Sequence, residues 1–529
     1  MIGPLQATAM KTKNLSQQLF RIKDLGAILS EIHDPDRKLK KALGAFDLIL
    51  LGIGAVIGAG IFATIGTAAA GDAVRLGAGP GLIVSFAITA VACGFAALCY
   101  AELAALVPIS GSAYTYSYAT FGELIAWIIG WDLMIEYGVG GIAVSISWSG
   151  YFTELLRGLG IALPPWAVID FRSAFCGFEK AAALLGNGVP FEGLDAGLQR
   201  AWTAVHQAPH LFGLPVVLNV PAFVIVIFLT VLLVIGIKES ARFNAVMVSL
   251  KLLVLGFFVL IGSFYVKPDN WVPFAPNGFA GIKAGAAIVF FAYIGFDAVS
   301  TVAEETKNPK RDLPVGIIGS LIVCTIIYMA VSAVFTGLLP FSELQNLLPH
   351  QKAEPLAVAM KHVNLNWAAG IVASGAILAQ TAVLLVLQLG QARIFFSMAR
   401  DGLLPPAFAK VHPKFKTPYV TTIVAGLIVA FFATFTNIEE MVDLTNIGTL
   451  FAFALVCLGV IILRVKEPHR HRAFKVPLNP LVPLLGVAAC VFLMASLPML
   501  TWIRFIVWLL VGLAFYFLYG MKHSLLHKP

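Results

Sequence analysis

Charge is what this sequence has least of. Asp, Glu, Lys and Arg make up 12% of its 529 residues, half of the roughly 25% usual in soluble domains. With 59% hydrophobic residues, a water-soluble fold would need a large core and almost no polar surface to cover it, which excludes that class. Cysteine is also scarce. Cys93, Cys99, Cys324, Cys457 and Cys490 fall in apolar runs and Cys176 in a loop. They form neither a disulfide framework nor a metal-ligand spacing, and read as small hydrophobes. The sequence holds no HExxH, no Walker loop and no Ser/His/Asp grouping at catalytic spacing. We expect no enzyme, no cofactor and no metal. The net charge of +8 does not point to nucleic acid, because the basic residues flank apolar runs, where they orient a chain in a bilayer.

What is present is a series of apolar runs. A membrane-spanning helix needs about 20 mainly apolar residues. Twelve such runs occur, at 46–70, 80–107, 120–156, 216–237, 245–266, 283–303, 314–339, 367–392, 418–436, 446–464, 479–498 and 500–520. The first 44 residues are basic and carry no signal-peptide pattern, so the first span is expected to act as its own targeting signal with the N-terminus inside. Twelve spans then place both termini in the cytoplasm, in the plasma (inner) membrane. The segments expected inside hold 25 Lys and Arg and those outside 10, the asymmetry the positive-inside rule predicts. The loop 157–215 is expected outside, with short helices near 176–185 and 194–207, because so long a structureless loop is uncommon.

Two of the runs are broken by glycine. The first reads Gly52-Ile53-Gly54-Ala55-Val56-Ile57-Gly58-Ala59-Gly60-Ile61-Phe62, and the sixth Phe290-Phe291-Ala292-Tyr293-Ile294-Gly295-Phe296-Asp297-Ala298-Val299. Hydrocarbon cannot satisfy freed backbone groups, so a broken span lies inside the protein against a cavity. Broken spans at corresponding places in two halves point to a transporter's binding site. Five spans followed by five more must be inverted relative to each other. The expected architecture is an all-α membrane protein of 12 transmembrane helices, a 5+5 inverted repeat plus two helices, with helices 1 and 6 broken. At Ile57, Gly58, Ala59 and Gly60, open N–H groups and the start of the resumed half-helix favour a carboxylate. Close packing through Gly54 and Gly58 is the alternative. At Ile294 and Gly295, free carbonyls can accept from an ammonium. Phe296 is expected to close over a ligand or present a cation–π face, with core packing as the alternative, and Asp297 to cap the second half-helix, with direct substrate contact as the alternative.

Three further ionisable residues inside spans stand out. Lys251 stands about six residues, roughly 9 Å, past its helix start. It either faces a partner or cavity and carries a proton, or snorkels to the surface. Asp132 and Glu136 are four apart and share a helix face. Glu136 is read as meeting a cationic substrate, relaying a proton or pairing with a gate residue, with a structural hydrogen-bonding role as the alternative. The charged runs from Glu304 to Pro314 and from Met398 to Pro405 either form a gate network or are solvated orienting loops.

At these residues the chain resembles the amino acid–polyamine–organocation transporters, and within them the cationic amino acid transporter branch and its bacterial proton-coupled relatives. The resemblance covers about residues 40–475. It runs through Leu43-Gly44-Ala45-Phe46-Asp47-Leu48, Gly58-Ala59-Gly60-Ile61-Phe62, Gly111-Ser112-Ala113-Tyr114-Thr115-Tyr116, Gly236-Ile237-Lys238-Glu239-Ser240-Ala241-Arg242-Phe243-Asn244, the sixth span through Glu305-Thr306-Lys307-Asn308-Pro309, and Met398-Ala399-Arg400-Asp401-Gly402-Leu403-Leu404-Pro405. It implies a leucine-transporter-type fold with alternating access, an amino acid held by Ile57, Gly58, Ala59, Gly60, Phe291, Ile294, Gly295, Phe296, Asp297 and Glu136, and proton coupling through Lys251 where sodium-coupled relatives bind a cation. The implied divisions are 1–44 an N-terminal segment, 45–267 the first repeat, 268–465 the second, 466–520 helices 11 and 12, and 521–529 a tail. Import of cationic or small neutral amino acids with protons is the expected function. A proton-independent amino acid/polyamine exchanger and a non-transporting sensor are the rivals. Neither a particular amino acid nor an oligomeric state follows from the sequence.

Overall fold

A computed structural model describes residues 19, 21–22, 43–72, 74–107, 112–236, 241–347 and 354–525. The basic N-terminal residues other than Arg21, together with Gly111 and 237–240, lie outside the described residues. The chain forms helices α1 (Ala45–Val56), α2 (Ile65–Ala70), α3 (Leu82–Leu106), α4 (Ser112–Thr120), α5 (Glu123–Met134), α6 (Gly140–Gly158), α7 (Phe171–Gly186) and α8 (Ala196–Gln207). A two-stranded hairpin, β1 (His210–Leu211) and β2 (Leu214–Pro215), pairs His210 with Pro215. Then follow α9 (Val220–Ile235), α10 (Ala241–Ser263), α11 (Gly278–Val289), α12 (Pro309–Leu338), α13 (Phe341–Leu347), α14 (Pro355–His362), α15 (Asn366–Arg400), α16 (Tyr419–Phe435), α17 (Ile438–Lys466), α18 (Leu481–Met494) and α19 (Met499–Phe515).

Apolar helices dominate because a helix satisfies its own backbone where the solvent cannot. Among the described residues, eight helices are long and apolar enough to cross a membrane. The bent pair α1 and α2 adds a ninth span, and α9, α16 and α18 are shorter apolar helices. The chain is a multi-pass membrane protein. Side-chain caps set several helix starts. Asn219 accepts from the Ala222 N–H at the start of α9, and Asn437 from the Glu440 N–H at the start of α17, each satisfying an otherwise orphaned donor.

The loop 157–215 is not structureless. The two helices expected in it are α7 and α8, about five residues longer at the start of α7 than expected. Asp170 caps α7 by accepting from the Ser173 N–H at 2.7 Å. Ala174, Val205, Ala208 and Val217 give this subunit of structure its own small core. We call this side of the molecule the loop face. The opposite, tail face carries the start of α5, where Ser524 donates to Glu123 at 2.5 Å and Tyr516 at 3.0 Å.

Candidate functional site

Both glycine-broken segments are broken in space. Helix α1 ends at Val56, and Ile57 turns extended at φ −76°, ψ 100°. The chain resumes as a wide π-turn, Gly60–Thr64, and continues into α2 after a bend of 42°. In the sixth span, α11 passes into a 3₁₀ turn Phe290–Tyr293, opens at Ile294 (ψ 136°), and resumes as the 3₁₀ segment Phe296–Glu305. Gly295 takes φ 111° there, a left-handed conformation that favours glycine.

The breaks meet each other. A Cβ on Gly60 would lie 2.2 Å from the Ala292 Cα, and one on Gly295 2.9 Å from the Ala55 carbonyl oxygen. The Tyr328 hydroxyl of α12 shares its proton between Ala292 O at 2.8 Å and Val56 O at 3.1 Å. Tyr151 of α6 donates to Phe62 O at 2.6 Å. These tyrosines supply partners for carbonyls freed by the breaks. Sequence reasoning missed them, since an aromatic in an apolar run carries no signal of where its hydroxyl will land. Lys251, 2% exposed, does not snorkel: its Nζ donates to Gly54 O at 2.7 Å, one turn before the first break.

A cavity lies between the breaks. Ala55, Val56, Gly58, Ala59, Gly60, Phe291, Ile294, Gly295 and Ala298 line it from the broken spans, Glu136, Tyr137, Gly140 and Val144 from the third span, Val383, Val386 and Leu387 from α15, and Thr445 from α17. Most of the expected site residues therefore share one space, but three do not line it. Ile57 is fully buried. Phe296 packs edge-on against Tyr100 at 5.9 Å and tilted against Phe453 at 5.0 Å, so the aromatic of the sixth span on the cavity wall is Phe291. Asp297 sits in the first turn of the second half-helix, and the cap position is Gly295. The expected Asp297 cap fails because the glycine turn itself opens the half-helix, displacing Asp297 by two residues. Glu136 lies in a π-helical segment, Ile135–Val139, an irregularity frequent at functional sites. Asp297 and Asp132 are its carboxyl neighbours.

Contacts between elements flank the cavity on both faces. On the tail face, Leu43 N–H donates to Glu305 O at 3.1 Å and Lys307 N–H to Leu43 O at 2.9 Å, a backbone clasp between the ends of the two broken spans. Asp401 accepts from Tyr114 at 2.7 Å nearby. On the loop face, Arg75 joins Asp72 at 2.5 Å to Asp443 of α17 at 2.6 Å. Burial alone would raise the Asp72 carboxyl, but Arg75 outweighs it and holds that group below its usual value.

Above the cavity on the loop face lies α14, whose residues Pro355, Leu356, Ala357, Val358, Ala359 and Met360 are all buried. Lys361 pairs with Glu154 of α6, which also binds Arg157 at 3.0 Å. Burial pushes the Glu354 carboxyl, at the start of α14, up to about 7, against the pull of Arg200 and with a further push from Glu154. A carboxyl raised from 4.5 to about 7 binds its proton more tightly here than in water. This packing therefore loses stability as pH rises from about 4.5 to about 7, and gains it as pH falls through the same window. Amide exchange of residues 355–362, corrected for intrinsic rates, is expected to slow as pH falls through that window. In Glu354→Gln that dependence should vanish; its persistence would assign it to another group.

Among the described residues, no cluster of His, Cys, Asp and Glu suits a metal. The amino acid permease family profile matches residues 43–516. The chain is similar to the branched-chain amino acid permease BcaP of Bacillus subtilis, 48% identical over 510 residues, 96% of this chain and 99% of that protein. It is also similar to the methylthioribose transporter of the same organism, 45% identical over 510 residues with the same coverage. The vacuolar cationic amino acid transporter 4 of Arabidopsis thaliana is 36% identical over 456 residues, 85% of this chain and 68% of the relative.

Proposed function

The chain belongs to the amino acid permease family, and from that premise we propose that it imports neutral, aliphatic amino acids together with protons. One observation carries the choice of side chain: Val144, Val383, Val386 and Leu387 make an apolar wall opposite the two broken spans. Such a wall stabilises a branched aliphatic group by removing it from water, at about 0.8 kcal/mol per buried CH₂, and offers a cationic head little in return. The similarity to a branched-chain permease supports the same reading. The amino acid's carboxylate binds backbone N–H groups from Gly58 to Gly60, and its ammonium meets the carbonyls opened at Ile294. Phe291 closes the aromatic side of the site. Glu136, the ionisable group on the cavity wall, favours a second reading in which a cationic side chain is taken instead, as in the cationic branch.

The eight long spans, the bent pair and the three shorter apolar helices make a twelve-span chain in our reading, with a 5+5 inverted repeat over 45–267 and 268–465 and both termini inside. The loop face is then outside. The Arg75–Asp443 pair and α14 form the outer closure, and the Leu43 clasp the inner one. Lys251 couples the proton: charged, it holds Gly54 O and the first half-helix; neutral, it releases them, so the proton reaches the hinge of the first span.

Uptake of labelled leucine, isoleucine, valine, arginine, lysine, alanine and methylthioribose into proteoliposomes tests this, with and without an inward proton gradient. Gradient-stimulated uptake of the branched aliphatic labels is the expected result. Preference for arginine and lysine would establish the second reading. Exchange indifferent to the gradient would remove proton coupling, and binding without flux would make the protein a sensor.

A further inference from the structure

Asp132 has no part in the site as described. It lies in α5, is 1% exposed, and neither of its carboxylate oxygens has a hydrogen-bond partner. A buried polar group with no partner calls for an explanation, and a carboxyl inside a membrane protein is costly to ionise without a cation, so it holds a proton readily. Among the described residues no basic side chain faces it. From α17, one of the helices packed against α5, Gly448 approaches so closely that a Cβ there would stand 2.8 Å from Asp132 Oδ1. The nearest ionisable element of α17 is Asp443, held by Arg75 on the loop face. Among the described residues Asp132 has a carboxyl neighbour in Glu136, four residues on along the same helix face, and Glu136 in turn neighbours Asp297 of the sixth span. Three carboxyl groups thus stand in series, the first two about 6 Å apart along the helix at 1.5 Å per residue. Asp132 is the one nearer the tail face, since α5 begins there at Glu123.

We propose that Glu136 and Asp132 form a further proton-holding pair beside Lys251, in which Asp132 takes a proton from Glu136 on its way from the cavity to the tail face. The O–H bond of the Glu136 carboxylic acid breaks as an O–H bond forms on Asp132, through one water when the tail face opens. The pair carries the same net charge before and after. One neutral and one ionised carboxyl avoid the repulsion of two buried anions, so a single proton moves between them rather than a second being added. This inference rests on the proton-coupled reading above. It differs from a structural role, in which Asp132 would stay protonated and donate to a fixed acceptor, because no such acceptor is present among the described residues.

The test uses the full chain in proteoliposomes with a trapped pH-sensitive dye, comparing wild type, Asp132→Asn and Asp132→Glu. Asp132→Asn keeps the shape and the neutral form but cannot release a proton. It is expected to retain counterflow of unlabelled against labelled leucine at equal pH, and to lose lumen acidification and gradient-driven accumulation by about 10-fold or more. Asp132→Glu is expected to restore both. Should Asp132→Asn be lost on extraction, infrared difference spectra of the wild type and Asp132→Glu between acid and neutral pH replace it, and a protonated-carboxyl band that shifts with the substitution is expected. Acidification by Asp132→Asn at the wild-type ratio to substrate, or the same band in both proteins, would overturn the assignment. A wild type that transports leucine without acidifying the lumen would instead overturn the coupling on which it rests.

Discussion

Lys251→Met is expected to lower gradient-driven uptake by about 100-fold, within the range that a positioned proton-transfer group contributes, while counterflow at equal pH stays within a few-fold of wild type. The reason is local. The Lys251 ammonium is buried and donates to Gly54 O at 2.7 Å, and Gly54 stands three residues before the first break at Ile57. Protonation decides how strongly that carbonyl is held, because a charge-assisted hydrogen bond is about twice as strong as a neutral one, so the charge state is tied to the position of the half-helix. Methionine keeps the stem's volume and its packing but can neither hold nor release a proton. It leaves the Gly54 carbonyl without its lysine partner, a cost of about 1–3 kcal/mol, so a fall in melting temperature is expected as well. Uptake with lumen acidification, measured for both proteins, separates the two effects. A less stable Lys251→Met that still couples protons fully would show that the lysine is only a strut. Loss of counterflow together with uptake would mean that it holds the substrate site rather than the coupling.

Gly60→Val is expected to abolish substrate binding and transport together. The Cβ would stand 2.2 Å from the Ala292 Cα and 2.7 Å from the Ala292 nitrogen. Those are backbone atoms of the other broken span, so no side chain can rotate away. The two breaks must separate, at an overpacking cost of about 1–3 kcal/mol or more, and the cavity between them loses its shape. Ligand-induced thermal stabilisation measures this directly: the shift that leucine gives the wild type should disappear. Gly256→Ala, where an added methyl meets nothing within 4 Å, serves as the control and should bind as the wild type does. Retained leucine binding by a folded Gly60→Val would place the substrate elsewhere. The pair of variants also tests whether the glycines matter for space, as the close approach of Gly60 requires, or only for flexibility.

The legible part of this protein was the part written in hydropathy and glycine. Runs of apolar residues predicted spans, and α3, α12 and α15 occupy the places expected of them. The two breaks were legible because glycine in an apolar run is costly without a reason, and both are observed as opened turns. Lys251 was legible as an oddity, a charge where charge is expensive, but its partner was not. Gly54 O is 197 residues away in the chain, and a backbone carbonyl has no signature. Phe296 shows the opposite failure. It follows the break directly and reads as a lid, yet a 3₁₀ segment turns it onto Tyr100 and Phe453, and Phe291, a turn before the break, lines the cavity instead. The direction a residue faces beside an irregular turn depends on dihedrals that the pattern of residues does not specify.

By itself the sequence determined the solvent this protein lives in, the number and order of its apolar runs, and where two of them had to break, because each of these follows from the cost of putting charge or open backbone into hydrocarbon. Only the tertiary structure decided which groups meet. The hydroxyl of Tyr328 stapling both breaks, Arg75 bridging to Asp443, and Asp132 left against Gly448 with Glu136 as its neighbour all join residues on separate elements or across an irregular turn. Such contacts arise from packing between helices, where distance along the chain carries no information about distance in space.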